Sequence, residues 1–112
     1  MPIVPEIQAL LERLNQELDE SEQVATEGLN IIRQRLSLFP DNEILTQLFA
    51  SLSNILLFVE IYRVRIQVLV QRISPDDVPA EVVRDAVEDL GLILGKAIEV
   101  KMNANRIKTR LI

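Results

Sequence analysis

The feature that most constrains this chain is three long runs of apolar residues spaced alternately four and three apart. In the first run, Ile7, Leu11, Leu14, Leu18, Ser21, Ala25, Gly28, Ile32 and Phe39 follow the spacing, with Leu36 standing in for position 35. In the second, Leu45, Leu48, Leu52, Ile55, Val59, Tyr62, Ile66, Leu69 and Ile73 follow it without a break. Val83, Ala86, Leu90, Ile93, Ala97, Val100, Ala104, Ile107 and Leu111 form the third. A 3.5-residue repeat of apolar side chains specifies helices that pack along one seam with left-handed crossings. Val64-Arg65-Ile66-Gln67-Val68 also alternates like a strand, but it lies inside the most regular heptad run and reads as helix.

Proline and glycine punctuate the chain sparsely, with five and three copies in 112 residues. The prolines fall at Pro2, Pro5, Pro40, Pro75 and Pro79 and leave segments of approximately 5–38, 42–73 and 79–110. At 1.5 Å per residue each segment would be a rod of roughly 48 Å. Loops this short force neighbouring helices to run antiparallel. The expected fold is all-α: a single helical domain over 1–112, an up-down-up antiparallel bundle of three long helices, completed by dimerisation. Asp41 and Asn42 are candidate caps for the second helix. Ser74-Pro75-Asp76-Asp77 resembles a helix start with a capping serine, after which Pro79 restarts the helix.

The second segment is apolar on more than its seam. Ala50, Leu57, Ile61, Val64 and Val68 make a second stripe, with Leu57 about 160–200° round the helix from Ile55 and Val59. One three-helix bundle buries both faces poorly, and a long exposed apolar patch usually marks an interface. Two arrangements would satisfy the stripe. Helices 1 and 3 could flank helix 2 on different sides, or the stripe could form a symmetric homodimer, which is the favoured expectation. Glu60 and Arg63, spaced i, i+3 beside the stripe, form an intrahelical pair or fix dimer register. Gly91 and Gly95 cost helix stability, which a close helix–helix contact near Leu57 and Ser53 would explain. Gly28 reads similarly beside Ala50 and Ser51.

Charge is segregated along the chain. Residues 1–27 hold seven acids and one base, and residues 96–112 hold five bases and one acid. This pattern complements the helix dipoles, and the antiparallel arrangement sets acidic starts beside basic ends. The alternative is an anion- or nucleic-acid-binding end built from Lys101, Arg106, Lys108 and Arg110. The formal net charge of −5 and the lack of aromatics among these bases disfavour nucleic acid.

Cysteine and histidine are absent, which removes disulfides, thiol nucleophiles, ordinary zinc sites and the Ser-His-Asp triad. No glycine-rich phosphate loop occurs. Glu17 with Glu20, and Asp85 with Glu88, are i, i+3 carboxylate pairs with Glu81 and Asp89 nearby, a donor set suited to Mg²⁺. The pairs resemble those of all-α nucleotide pyrophosphohydrolases, although here two loops and a whole helix separate them. Asp19, Glu20, Glu22 and Glu27 read as a solvated acidic face. Met1-Pro2-Ile3-Val4-Pro5-Glu6 lacks the positive region of a secretory leader. The longest uncharged run, Ile44–Val59, is 16 residues and too short for a bilayer span. A cytoplasmic location is therefore expected.

The functional expectation is a non-enzymatic protein–protein interaction module that needs no cofactor and no metal. It would be an adaptor, scaffold or small regulatory subunit that self-associates through helix 2, with another protein as a further possible partner. The alternatives are the anion-binding regulator and, behind it, the Mg-dependent hydrolase.

Overall fold

The computed structural model describes residues 4–112, so Met1, Pro2 and Ile3 lie outside the described residues. Three helices account for nearly all of it: α1 (Pro5–Leu38), α2 (Glu43–Ile73) and α3 (Ala80–Leu111). They pack against one another in an up-down-up rod measuring 59 × 18 × 16 Å. The radius of gyration, 17.5 Å, exceeds the roughly 13 Å of a compact domain of this length. The elongation follows from the helix lengths, since 34 residues at 1.5 Å already span about 51 Å.

Each boundary has a local cause. Pro5 sits in the first turn of α1, where its missing N–H costs nothing, and the amides of Ile7 and Gln8 both donate to the Val4 carbonyl. Asn42 is the cap of α2, its side chain accepting from the Leu45 amide at 3.0 Å. Contrary to the expectation, Ser74 does not start a helix. The Ser74 hydroxyl donates back to the Val70 carbonyl at 2.6 Å and closes α2, while Pro79 precedes Ala80 at the start of α3. A helix beginning at Ser74 would carry Pro79 past its first turn, where the ring clashes and a hydrogen bond is lost.

The seams face inward as expected, in two clusters along the rod. One joins Leu11, Leu14, Leu18, Val59, Ile66, Leu69, Leu90 and Ile93; the other joins Ala25, Leu29, Ile32, Leu45, Leu52 and Leu111. Phe39 departs from the seam and is 60% exposed, because α1 ends at Leu38. Around the middle the seam residues are small: Ser21, Ala25 and Gly28 on α1, Ala97 and Ala104 on α3, all buried. Small side chains let these two parallel helices approach closely, and α3 packs more extensively against α1 than against α2. The Ser21 hydroxyl is satisfied by donating to the Glu17 carbonyl at 2.9 Å.

The glycines divide. A Cβ on Gly28 would lie 2.6 Å from Leu52 Cδ1, so this glycine does mark a close approach, made by Leu52 rather than by Ala50 or Ser51. At Gly91 and Gly95 a Cβ would meet nothing within 4 Å, so both face open space. Among the described residues, the close contact expected for them does not exist.

Candidate interaction surface

The second stripe of α2 is exposed. Leu57 is 55% exposed, Ile61 53%, Val64 58% and Val68 46%, and Ala50 is exposed with them. At about 100° per residue, these five lie roughly 140–200° from buried Val59, directly opposite the core. The stripe runs about 27 Å along the helix. Helices 1 and 3 do not wrap to cover it, because both follow the Leu52–Val59–Ile66 seam. The intrachain arrangement considered above is thereby overturned.

The spacing is more regular than the five residues alone disclosed. Asn54, also exposed, falls between Ala50 and Leu57, so positions 50, 54, 57, 61, 64 and 68 make a continuous 4-3-4-3-4 series. Glu60 flanks this series on one side and Arg65 on the other. Arg65 stands over the Tyr62 ring at 5.9 Å, and Tyr62 in turn packs on Phe58 with ring centroids 4.0 Å apart.

Arg63 is used differently from the expectation. It faces α1, where it donates to Asp19 at 2.6 Å and also to Glu22, rather than pairing with Glu60. Burial acts to lower its pKa, but the hydrogen bonds to Glu22 and Asp19 outweigh burial and raise it. Arg63 thus ties α2 to α1 and is not available to set register on the outer face. Asp19 and Glu22 lie 44 and 41 residues away in the chain, within the acidic start of helix 1 that the antiparallel arrangement was expected to set beside Arg63.

The basic set is likewise divided by the fold. Lys101 and Lys108 turn toward α1. Lys101 Nζ lies 2.6 Å from Glu17 Oε2, off hydrogen-bond alignment, and donates to Glu20 at 3.1 Å; Lys108 pairs with Glu27. The contacts with Glu17 and then Glu20 raise the Lys101 pKa. Lys101, followed by Gln16, lowers that of Glu20, and Lys108, followed by Gln23, lowers that of Glu27. Arg106 and Arg110 instead line a groove beside Leu48 and Ile55 of α2. The four bases therefore do not form one anion site, and two of them are already neutralised by acids of α1. The acids of α1 are correspondingly not a purely solvated face, since Glu17 is buried and Glu20, Glu22 and Glu27 are half-buried in interhelical pairs.

Among the described residues, no three acidic side chains are placed to hold a metal ion. The Glu17–Glu20 pair is directed at Lys101.

α2, at 31 residues, is long and apolar enough to cross a membrane by length and composition. The uncharged run Ile44–Val59 is too short to do so, but the apolar helix continues past Glu60 to Ile73. Core helices share the property, and here one face of α2 is packed against α1 and α3. No family model matches the chain, and no curated protein or solved structure matches it.

Proposed function

We propose that this chain is a non-enzymatic protein–protein interaction module of the cytoplasm, an adaptor, scaffold or small regulatory subunit, that self-associates through the outer face of α2. The observation that carries the reading is the exposed, uninterrupted stripe of Leu57, Ile61, Val64 and Val68. Leaving such side chains in water forgoes about 25 cal/mol for each Å² of apolar surface a partner would cover.

Light scattering coupled to size-exclusion chromatography tests the proposal. The protomer mass is 12.7 kDa, so a dimer is expected near twice that value. Ile61→Asp should return the protomer mass with unchanged helicity, because the exposed position contributes little to the bundle itself. A wild-type protomer at high concentration overturns self-association. If that protomer also floats with phosphatidylcholine–phosphatidylglycerol vesicles, the stripe belongs to a lipid surface instead.

A further inference from the structure

We infer that the occupant of the α2 outer face is a second copy of this chain, with the two α2 helices parallel and in register as a two-stranded coiled coil. The inference rests on the self-association proposed above and assigns its geometry. In the exposed series, Asn54, Ile61 and Val68 occupy one heptad position (a) and Ala50, Leu57 and Val64 the other (d). Among parallel coiled coils, β-branched residues at a with leucine at d favour two strands, and a single asparagine at a fixes register and strand number. Here Ile61 and Val68 are the β-branched residues at a, Leu57 is the leucine at d with Ala50 and Val64 on either side of it, and Asn54 is the one polar residue of the series.

The flanking charges decide orientation. In a parallel pair, Glu60 (position g) of each copy meets Arg65 (position e) of the other, giving two symmetric ion pairs. Neither residue has an acid or base as partner among the described residues, whereas Arg63, Lys101 and Lys108 all do. Asn54 meets Asn54 of the second copy, amide against amide. The antiparallel alternative that best overlays the stripe is centred on Val59. It sets Glu60 against Glu60 of the second copy and buries Asn54 against a valine, leaving an amide without a partner. The series is therefore charge-complementary to itself in one orientation only.

The chain has no cysteine, so single-cysteine variants report orientation without background. Val64→Cys alone should oxidise to a disulfide-linked dimer, since position 64 faces itself only in the parallel register. In the antiparallel alternative the two copies of position 64 are about 15 Å apart, and an equimolar mixture of Asn54→Cys and Val64→Cys crosslinks instead. That result would overturn the inference. Glu60→Arg should weaken the dimer at least about tenfold, and Glu60→Arg/Arg65→Glu should restore it. Antiparallel packing predicts instead that the Glu60→Arg variant pairs with the wild type more tightly than the wild type pairs with itself, because the mixed dimer replaces repulsion with attraction. A dimer that Ile61→Asp disrupts, but that neither crosslinks at 64 nor responds to the charge swap, overturns only the orientation. A wild-type protomer overturns the self-association on which it rests.

Discussion

Leu52 Cδ1 sits 2.6 Å from the place a Cβ would occupy on Gly28. Both residues are buried, and Leu52 is completely so. The contact joins α1 to α2 in the cluster that also holds Ala25 and Leu111. A Cβ there would have to displace the methyl of a completely buried leucine, which explains a glycine in mid-helix that would otherwise only cost stability.

Gly28→Ala should therefore destabilise. Overpacking of a filled core costs about 1–3 kcal/mol, partly offset by the roughly 1 kcal/mol gain in helix propensity. In a Leu52→Val background, where the obstructing methyl is gone, the same change should stabilise. Urea denaturation of the four variants measures the reversal of sign. Stability work is best done in the Ile61→Asp background, so that association does not enter the midpoint. The same sign in both backgrounds would show that Leu52 moves aside freely.

Lys101→Met should cost about 2 kcal/mol, less than a fully buried pair because the lysine side chain is 24% exposed. It leaves the buried Glu17 carboxylate and Glu20 side by side without their cation. Glu17→Leu/Lys101→Met should recover most of the loss, since removing both charges leaves an apolar contact between α1 and α3. Additive losses in the double variant would show that the two residues act independently.

Acid should weaken the bundle through Glu20 and Glu27. Both carboxyls are held below the ordinary 4.5 by lysines of α3. Their contribution is fully present above that value and is lost as pH falls through the lowered folded-state values. The melting temperature of Lys101→Met/Lys108→Met should accordingly fall less between pH 6 and pH 3 than that of the wild type. Parallel curves for the two proteins would mean that these pairs do not hold in solution.

Gly91→Ala and Gly95→Ala should each stabilise the bundle by about 0.5–1 kcal/mol, because both glycines face open space in mid-helix. Thermal melts of the two variants decide it. A loss at either position would point to a neighbour on the outer face of α3.

Much of this architecture was legible in the sequence. The prolines and the 4-3 spacing located the three helices to within about one residue at each end, because helix boundaries and heptad faces are set by local chemistry. The exposed stripe on α2 was also legible, since a helix has only one face opposite its seam. What the sequence left open was pairing across helices. Arg63 had Glu60 one turn away, yet it is bound to Asp19 and Glu22; Lys101 and Lys108 looked like part of a basic end, yet they neutralise acids of α1. Gly28 and Gly91 read alike in sequence, and only the fold sets Leu52 against the first and solvent against the second. Periodicity is a property of the single helix and survives in the sequence. Which flank meets which neighbour depends on rotation and stagger between helices, and those are fixed only when all three pack together.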